Sequence, residues 1–452
     1  MKINIPAGAG LIIKDLMAAG FDAYVVGGCV RDCPMGRAAE DWDITTNARP
    51  DQVKVVFAGR KMIDIGERHG TIAVGAGRGA YYEVTTYRVD GAYGDGRRPD
   101  SVSFTEDLRE DLRRRDFTIN AMAYNDKIGL VDYFGGHEDI KSGVVRCVGD
   151  AAARFGEDYL RIMRAYRFAA TLDFALAPDV RAAAIEGREN LRNIAVERVR
   201  TEFMKMLLCD NFDSIEMFFE DCADTLFPEI AALEGFEQNN PYHCYDVLRH
   251  SLQALRNTPP DPALRLAALY HDTGKLHTRT TDDAGIHHFH GHEAVSVKIA
   301  AAALVHWRFD NHTTSRVLAI IKHHGGNYGG SGRAERTAVK RLLNKLGPDL
   351  ARDVLNFQVA DNLAKSNKVK GAKLDAVLAA KAILEEIIAA GEPVKISDLA
   401  ITGRDVMQEL GIAPSAAVGE FLQYLMGEVI KNPAANTREN LVALLRGRRD
   451  AK

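Results

Sequence analysis

The amino-acid pattern changes at about Arg154, and this change constrains the fold more than any other feature of the sequence. Before it, short apolar runs such as 21–26 alternate with glycine turns and short helical segments, a pattern typical of mixed helix and strand. After it, long stretches rich in Ala, Leu, Arg and Glu have helical periodicity, and strand signals nearly vanish. We therefore predict the α+β fold class for a multidomain chain, with a mixed N-terminal head followed by all-α regions.

The composition excludes several classes of protein. The chain has 452 residues, more than one hydrophobic core usually supports, and its 46% hydrophobic and 27% charged residues are ordinary for globular proteins. No stretch has the length of a transmembrane helix and the N-terminus lacks a signal-peptide pattern, so we expect no membrane partner and a cytoplasmic location. The six cysteines are scattered, which indicates packed thiols rather than a disulfide scaffold.

The net charge of −4 hides an uneven distribution. The segment Ser331–Ala380 has ten Lys or Arg and five Asp or Glu, a local excess of +5. A phosphate-rich partner is one explanation, and a solvated helical face is the other.

The first candidate site begins with Gly27 and Gly28, where an apolar strand turns directly into a predicted helix. Backbone N–H groups at such a turn favour phosphate, although a tight turn also needs glycine for conformational reasons. Asp41 and Asp43 follow, and residues two apart in a strand share a face. A polar strand end would explain this pair by itself, but its closeness to the glycine turn favours Mg²⁺ binding and phosphate chemistry.

Other charged residues extend this site. Glu83 lies in another apolar strand and is a candidate third metal ligand, while an ion pair with Arg88 explains it nearly as well. The basic cluster Arg113–Arg115 suits a triphosphate, because guanidinium groups stay charged and bond in a planar fork.

Four charged residues recur every third position on a predicted helix. A surface helix with ion pairs accounts for this spacing. Beside a nucleotide site, Asp158 and Arg161 would offer one acceptor and several donors to the edge of a base and select it without a template. The four residues are Asp158, Arg161, Arg164 and Arg167.

These motifs resemble those of class II tRNA nucleotidyltransferases and bacterial poly(A) polymerases. The resemblance implies a polymerase-β-like nucleotidyltransferase head followed by helical neck, body and tail regions. It also implies a metal-dependent enzyme that adds C, C and A to tRNA 3′ ends from CTP and ATP and releases pyrophosphate. The motifs that carry it are Gly27–Asp32, Asp41–Asp43, Glu83–Arg88, Arg114–Ala123 and Asp158–Phe168.

The resemblance also implies roles for individual residues. Asp41 and Asp43 match the catalytic Mg²⁺ ligands. Nucleotide-binding positions are matched by Gly28, Arg31 and Arg115. The residues that match the reader of the CTP or ATP base are Asp158, Arg161, Arg164 and Arg167.

The segment Tyr87–Pro99 resembles a flexible loop of this family that is implicated in switching from CTP to ATP. Relatives that add only cytidine lack this loop, so its presence implies complete CCA synthesis. The motifs overlap almost completely with those of poly(A) polymerases, which leaves poly(A) synthesis as the alternative within this class.

A second candidate site lies in the helical part of the chain. A single histidine on a helix is more often packed than a ligand, but several histidines with two aspartates favour a divalent transition metal. The His-Asp pair is followed by Thr-Gly-Lys at a predicted helix end. The residues are His250, His271, Asp272, His292, His323, His324 and Asp361.

This order resembles the HD phosphohydrolase superfamily. In addition, His292 and His323 resemble the extra ligands of its two-metal members. The resemblance implies that water attacks a phosphoester at a metal held by this domain. The alternative is a domain that serves as an inactive scaffold. The ligands of one metal are then His250, His271, Asp272 and Asp361.

Two functions from other classes are alternatives for the whole chain. One is a metal-dependent HD phosphohydrolase whose N-terminal part binds nucleotide, and the other is an RNA-binding scaffold with inactive sites. The sequence leaves monomer and homodimer open. The predicted regions are 1–150 for the head, 151–235 for a neck with the base-reading helix, 236–365 for an HD-type metal-binding domain and 366–452 for a tRNA-binding tail.

Overall fold

A computed structural model describes residues 2–66, 69–77, 79–91, 101–328 and 333–450. The chain forms two compact units, Met1–Pro228 and Glu229–Lys452. The first mixes a sheet with helices and the second is mostly helical, which confirms the predicted fold class. None of the described helices combines the length and apolar character that crossing a membrane requires.

A seven-stranded mixed sheet forms the centre of the first unit, in the order β3-β4-β5-β2-β1-β8-β9. The neighbours β2 and β5 are parallel, and the other neighbouring pairs are antiparallel. The remaining strands form three two-stranded pairs. In chain order the strands are β1 (Ala23–Val26), β2 (Asp43–Thr46), β3 (Met62–Gly66), β4 (Thr71–Gly75), β5 (Tyr81–Thr86), β6 (Arg88–Asp90), β7 (Val102–Phe104), β8 (Met122–Asn125), β9 (Gly129–Asp132), β10 (Val144–Val145), β11 (Ala175–Leu176), β12 (Thr280–Thr281) and β13 (His287–His288).

Helices cover one face of the sheet in the first unit. Apolar side chains of β1, β2, β4 and β5 pack against those of the first and third helices in one buried cluster, which removes apolar surface from water. The helices up to residue 231 are α1 (Ala7–Ala18), α2 (Gly28–Asp32), α3 (Pro50–Val56), α4 (Leu108–Arg113), α5 (Gly136–Ser142), α6 (Ala151–Glu157), α7 (Leu160–Leu172), α8 (Pro178–Gly187), α9 (Val196–Leu207), α10 (Phe212–Leu226) and α11 (Pro228–Ala231).

The second unit packs its helices around separate buried clusters. Within α17 the backbone is non-helical at Gly347, whose φ of 76° lies in the left-handed region, and Pro348 follows it. The helices of this unit are α12 (Val247–Arg256), α13 (Pro262–Tyr270), α14 (Lys275–Thr278), α15 (His292–His306), α16 (Asn311–His323), α17 (Arg333–Leu363), α18 (Asn367–Ala389), α19 (Gly403–Leu410), α20 (Ala416–Lys431) and α21 (Arg438–Asp450).

Candidate active site and candidate metal centre

Strand register brings two of the predicted head carboxylates together. The parallel strands β2 and β5 place Ile44 opposite Val84, and both side chains are buried on one face of the sheet. Asp43 and Glu83 lie one residue earlier in these strands, so they lie side by side on the other face. Asp41, which we predicted within the strand, lies just before it.

The charges of these carboxylates act on one another. Glu83 and Asp43 are exposed as whole residues, but neighbouring protein atoms partly desolvate their carboxyl groups. This desolvation raises the pKa of Glu83, and the negative charges of Asp43 and Asp41 raise it further. Desolvation also raises the pKa of Asp43 against the attraction of Arg115, and Asp41 adds to the increase. Because neighbouring carboxylates repel each other, a cation between them is stabilising, and oxygen ligands are those that Mg²⁺ prefers.

The head carboxylates do not form a closed ligand cluster. Among the described residues, groups of three His, Cys, Asp or Glu with ligand atoms within 4.8 Å of one another lie in the second unit. Asp41 and Asp43 are both exposed to solvent. A cation and the phosphates of a substrate would have to complete a metal site here, which is how Mg²⁺ is usually held.

The predicted glycine turn lies at the end of β1, next to β2. Gly27 has a φ of +82°, a left-handed conformation that favours glycine. A Cβ at Gly27 would lie 3.2 Å from Arg115 Nη1, so the absent side chain lets this guanidinium approach the turn. The helix α2 that Gly28 begins has only five residues, so its macrodipole is small.

Asp111 connects Arg115 to the strand of the metal site, a role that sequence reasoning missed. Its fully buried carboxylate accepts hydrogen bonds from Thr45 Oγ1 at 3.0 Å and from Arg114 at 2.8 and 2.9 Å. Arg115 Nη2 lies 3.8 Å from the same carboxylate. Burial alone would raise the pKa of Asp111, but Arg114 and Arg115 hold it below its usual value. The charge of Asp111 therefore anchors both arginines beside β2.

Two of the predicted nucleotide-binding arginines have partners inside the protein. Arg31 Nη1 donates to Asn120 Oδ1 at 2.7 Å, and its Nε donates to Asp32 at 2.8 Å. Arg164 Nε donates to Asp116 at 2.8 Å. Burial alone would raise the pKa of Asp116, but Arg164 and Asn120 hold it at about 2. These arginines join the head to the helix α7.

Phe168 lies among three of the predicted arginines. The guanidinium carbons of Arg31, Arg164 and Arg167 lie 5.0, 5.2 and 3.7 Å from the centre of its ring, within cation–π range. Arg167 also pairs with the buried Glu202 of α9. These contacts stabilise the position of α7, and they account for the placement of the three arginines without a bound nucleotide.

The two residues proposed to read the base are also paired. We predicted Asp158 on a helix, but it lies between α6 and α7. Its Oδ1 accepts a hydrogen bond from the Leu160 N–H at 3.0 Å. Its Oδ2 lies 2.9 Å from Arg198 Nη2. Arg161 pairs with Glu157. A base that binds here must compete with these two ion pairs.

The second unit contains a buried cluster of imidazoles and carboxylates. Asp272 lies at its centre, and its Oδ2 lies 3.5 Å from His250 Nε2 and 3.1 Å from His271 Nε2. Its Oδ1 lies 3.3 Å from His292 Nε2 and 3.8 Å from His324 Nε2. The two oxygens of Asp272 therefore belong to two different ligand groups, each with its atoms within 4.8 Å of one another.

Hydrogen bonds orient the imidazoles of this cluster. In three of them Nδ1 lies within hydrogen-bond distance of a backbone carbonyl, an arrangement that directs the Nε2 lone pair toward a metal. The buried Nε2 of His271 has no hydrogen-bond partner among the described residues. The pairs are His271 with Ala268 at 3.0 Å, His292 with Phe289 at 2.8 Å and His324 with Ile321 at 2.7 Å.

The pKa shifts of His250, His324 and Asp272 suit a metal, whereas the hydrogen bond to Asp272 raises the pKa of His292 against the effect of burial. Burial lowers the pKa of His324 to about 3 and also lowers that of His250. Burial alone would raise the pKa of Asp272, but His271 and Lys275 hold it well below its usual value. Neutral imidazoles and ionised carboxylates are the forms that bind metals, and this donor set fits a divalent transition metal.

Two lysines neutralise the carboxylates of the cluster, and sequence reasoning missed one of them, Lys365. Lys275 Nζ lies 2.6 Å from Asp272 Oδ2, and Lys365 Nζ lies 2.5 Å from Asp361 Oδ2. Asp361 Oδ1 lies 3.0 Å from His250 Nε2 and 3.8 Å from His271 Nε2, although Asp361 is in neither of the two three-residue ligand groups.

The structure corrects one member of the predicted set. His324 lies in the cluster, whereas His323 is the last residue of α16 and lies outside it. The spacing of apolar residues in the sequence could have distinguished His324 from His323. Val317, Ile320 and Ile321 form the buried stripe of α16, and the same helical spacing continues to His324.

Three family models match successive parts of the chain. The model of the poly A polymerase head domain matches residues 23–146. A model described as the probable RNA and SrmB-binding site of polymerase A matches residues 173–233, and the HD domain model matches residues 242–366.

Curated relatives and solved structures agree with these models. The CCA-adding enzyme of Lactobacillus delbrueckii subsp. bulgaricus is 47% identical over 224 residues, which cover 50% of this chain and 55% of the relative. The chain thus spans about half the length of the curated relatives it matches. The Bacillus stearothermophilus CCA-adding enzyme in complex with CTP has a TM-score of 0.69 and 28% identity, and 99% of each chain is covered.

The chain is similar to CCA-adding enzymes in sequence over about half of its length and in fold over nearly all of it. A Thermotoga maritima CCA-adding enzyme complexed with tRNA, at 22% identity and a TM-score of 0.62, shows the same fold over 97% of this chain and 93% of that one. The region that the head model matches contains the head motifs from Gly27 to Ala123, and the region that the HD model matches contains all the ligands of the second cluster.

Two further expectations from the sequence concern the basic segment and the flexible loop. In the basic segment Ser331–Ala380, Lys340 Nζ lies 2.6 Å from Glu392, and Arg352 Nε lies 2.7 Å from Glu385. Glutamates beyond the segment therefore neutralise part of its excess charge, and Lys340 is buried at 1% exposure, so ion pairs within the second unit account for these two residues. The predicted flexible loop lies outside the described residues from residue 92 onward.

Proposed function

We propose that the chain adds C, C and A to tRNA 3′ ends from CTP and ATP, without a nucleic-acid template, and releases pyrophosphate. The observation that carries this proposal is the placement of Asp43 and Glu83 side by side, next to the Gly27 turn and Arg115. The relatives named CCA-adding enzymes support it, including one in complex with CTP that matches along nearly the whole chain.

Each part of this site has a role in the proposed transfer. Asp41 and Asp43, with Glu83 as a third carboxylate, would hold Mg²⁺, which would favour ionisation of the attacking hydroxyl and neutralise charge on the phosphates. Arg115 and the Gly28 backbone would hold the triphosphate. The tRNA 3′-hydroxyl attacks the α-phosphate in line, and pyrophosphate leaves on the opposite side.

Base selection belongs to Asp158 and Arg161 in this proposal. The carboxylate accepts from an exocyclic amine, and the guanidinium donates to ring acceptors. Because both side chains are paired, with Arg198 and Glu157 respectively, the base must displace or share these partners. The ion pairs keep the two side chains ordered before the nucleotide arrives, which lowers the entropy cost of binding.

The test uses purified protein and tRNAs that end before, within and after CCA, with CTP and ATP given separately and together. Sequencing of the products should show completion of CCA and no further growth. Asp43→Asn should eliminate every addition, while Tyr133→Ala, on the far edge of the sheet, serves as the control. Long adenosine tails on unrelated RNA would instead indicate a poly(A) polymerase.

We propose a second, metal-dependent phosphohydrolase function for the HD cluster. The observation that favours it is the central Asp272, whose two oxygens serve two ligand groups, as in sites that hold two metals. Metal analysis of the purified protein should find a divalent transition metal, and phosphoester hydrolysis should stop in Asp272→Asn. Metal binding without hydrolysis of any phosphoester tested would indicate a structural role.

A further inference from the structure

The face of the sheet that carries Asp43 and Glu83 continues as exposed surface toward β4 and β3. Tyr81 lies two residues before Glu83 in β5, so both side chains lie on this face. Ile63 of β3 pairs with Ala73 of β4, which pairs with Glu83, so Ile63 shares the face. Tyr81 is 41% exposed and Ile63 is 50% exposed. An apolar surface therefore borders the head carboxylates.

Gly75 shapes a groove beside Tyr81. The two residues are opposite each other in β4 and β5. A Cβ at Gly75 would lie 3.6 Å from Tyr81 Cε1 and 3.0 Å from the Lys61 carbonyl oxygen. The first distance is an ordinary contact and the second is tight, so Gly75 lets β4 approach the backbone of Lys61 closely. Tyr81, Gly75, Lys61 and Leu11 of α1 line a groove of about 520 Å³ at this end of the sheet.

The groove carries positive charge. Arg60 and Lys61 both line it. Arg60 pairs with Asp15, whereas Lys61 is exposed and has no carboxylate within 4.0 Å among the described residues. An exposed aromatic ring next to a free cation is the combination that binds single-stranded nucleic acid, by base stacking and phosphate attraction.

In the proposed transfer, the side from which the attacking hydroxyl approaches the α-phosphate is also the side of this groove. The strands β1 and β5 flank β2 on opposite sides. If the triphosphate lies at the β1 side, on the Gly27 turn and Arg115, the leaving pyrophosphate lies there too. The attacking and leaving oxygens are in line across the phosphorus, so the attacking hydroxyl arrives from the β5 side, where Glu83 and Tyr81 lie.

We propose that the groove beside Tyr81 and Lys61 binds the unpaired 3′ end of the RNA substrate. A base near the 3′ terminus stacks on the Tyr81 ring, and a backbone phosphate lies at Lys61. The inference rests on the proposed nucleotidyl transfer and names the surface that receives its RNA partner.

The kinetic test compares Tyr81→Ala, Tyr81→Phe and Tyr133→Ala, because Tyr133 is 47% exposed on the same unit but lies after β9, at the opposite edge. Loss of one stacked base should raise the KM for tRNA lacking CCA about tenfold in Tyr81→Ala. The KM for CTP should stay within about twofold, since the nucleotide lies on the other side of β2. Tyr81→Phe and Tyr133→Ala should resemble the unmodified protein.

The charge test uses Lys61→Ala. Loss of one phosphate contact should reduce the salt dependence of tRNA binding by about 0.7 in the slope of log K against log salt. An unchanged slope would remove Lys61 from the proposed site.

A direct test uses the unmodified protein and a tRNA that carries a photoreactive thiouridine as its 3′ nucleotide. Crosslinks should map to the peptide that contains Tyr81. Crosslinks confined to other segments, or an unchanged KM for tRNA in an active, folded Tyr81→Ala protein, would overturn the docking proposal. Failure of the unmodified protein to extend any tRNA would instead contradict the proposed function, and the crosslink would still test the groove.

Discussion

The two candidate sites of this chain are built in opposite ways. In the head, Asp41 and Asp43 lie just before and at the start of β2, and Glu83 lies within β5. All three are exposed, and they do not meet the ligand distances of a closed metal site. In the HD cluster, His250, His271 and Asp272 are at most 2% exposed, and their ligand atoms lie within 4.8 Å of one another.

The difference reflects what each site must admit. A site that transfers nucleotides has to receive a triphosphate and an RNA end, so its metals can be held jointly by protein and substrate. A buried group of imidazoles is held by helix packing and by backbone carbonyls, so it is ordered before any metal binds. Gly274 allows this packing, because a Cβ there would lie 2.2 Å from the His292 carbonyl oxygen.

The largest effect expected is a double dissociation between the two sites. Asp43→Asn should lower nucleotide addition by about a thousandfold or more, because the transition state loses a metal ligand, and leave the metal content of the HD cluster unchanged. Asp272→Asn should remove that metal and leave addition intact. Initial rates and elemental analysis measure the two outcomes. Loss of addition in a folded Asp272→Asn protein would show that the sites are coupled.

The ion pairs of the head should matter for stability more than those at the surface. Asp116→Asn leaves Arg164 without its partner and should lower the free energy of unfolding by about 3 kcal/mol. Since Arg164 and Asn120 hold the pKa of Asp116 at about 2 against the effect of burial, this contribution is present above the ordinary aspartate pKa and is lost as pH falls toward 2.

Denaturant titrations at several pH values measure this loss. The difference between Asp116→Asn and the unmodified protein should shrink between about pH 4 and pH 2. Glu138→Gln, which removes an exposed pair with Lys141, is the matched control and should have little effect. A constant difference across this range would contradict the ion-pair explanation.

Replacing each of the two neighbouring histidines, His323 and His324, by alanine tests which of them belongs to the HD cluster. His324→Ala should remove one of two metal equivalents, because the ligand group of Asp272, His292 and His324 loses a member. His323→Ala should keep the full metal content, since that side chain lies outside the cluster. Equal losses in both variants would contradict the assignment.

The smallest effect expected concerns base selection. Arg198→Met removes the partner that lies 2.9 Å from Asp158, so the carboxylate should be less well ordered. Discrimination between CTP and ATP, measured as the ratio of kcat/KM values, should fall by about tenfold. Arg192→Met, which breaks an exposed pair with Glu189, should leave the ratio unchanged.

The sequence predicted much of the fold and part of each site. The strands β1 and β5 follow from local apolar runs. The parallel pairing of β2 with β5 does not, because β3 and β4 come between them in the chain. That pairing is what places Glu83 beside Asp43.

Burial decided the roles of the charged residues. The spacing of Arg31, Arg164 and Arg167 suits a nucleotide, yet each has a carboxylate partner and lies near the ring of Phe168. Asp111 looked ordinary in the sequence, although the fold buries it between Thr45 and Arg114. Charge and spacing are local properties, whereas ion-pair partners are set by contacts between distant segments.

The sequence by itself determined the kinds of chemistry this protein carries: a phosphate turn with carboxylates in the head, and imidazoles with carboxylates in the helical part. The tertiary structure alone decided which of these side chains meet. It put His324 rather than His323 into the HD cluster and Tyr81 on the face of Asp43 and Glu83. The reason is that helix rotation and strand register are fixed by packing across the whole unit.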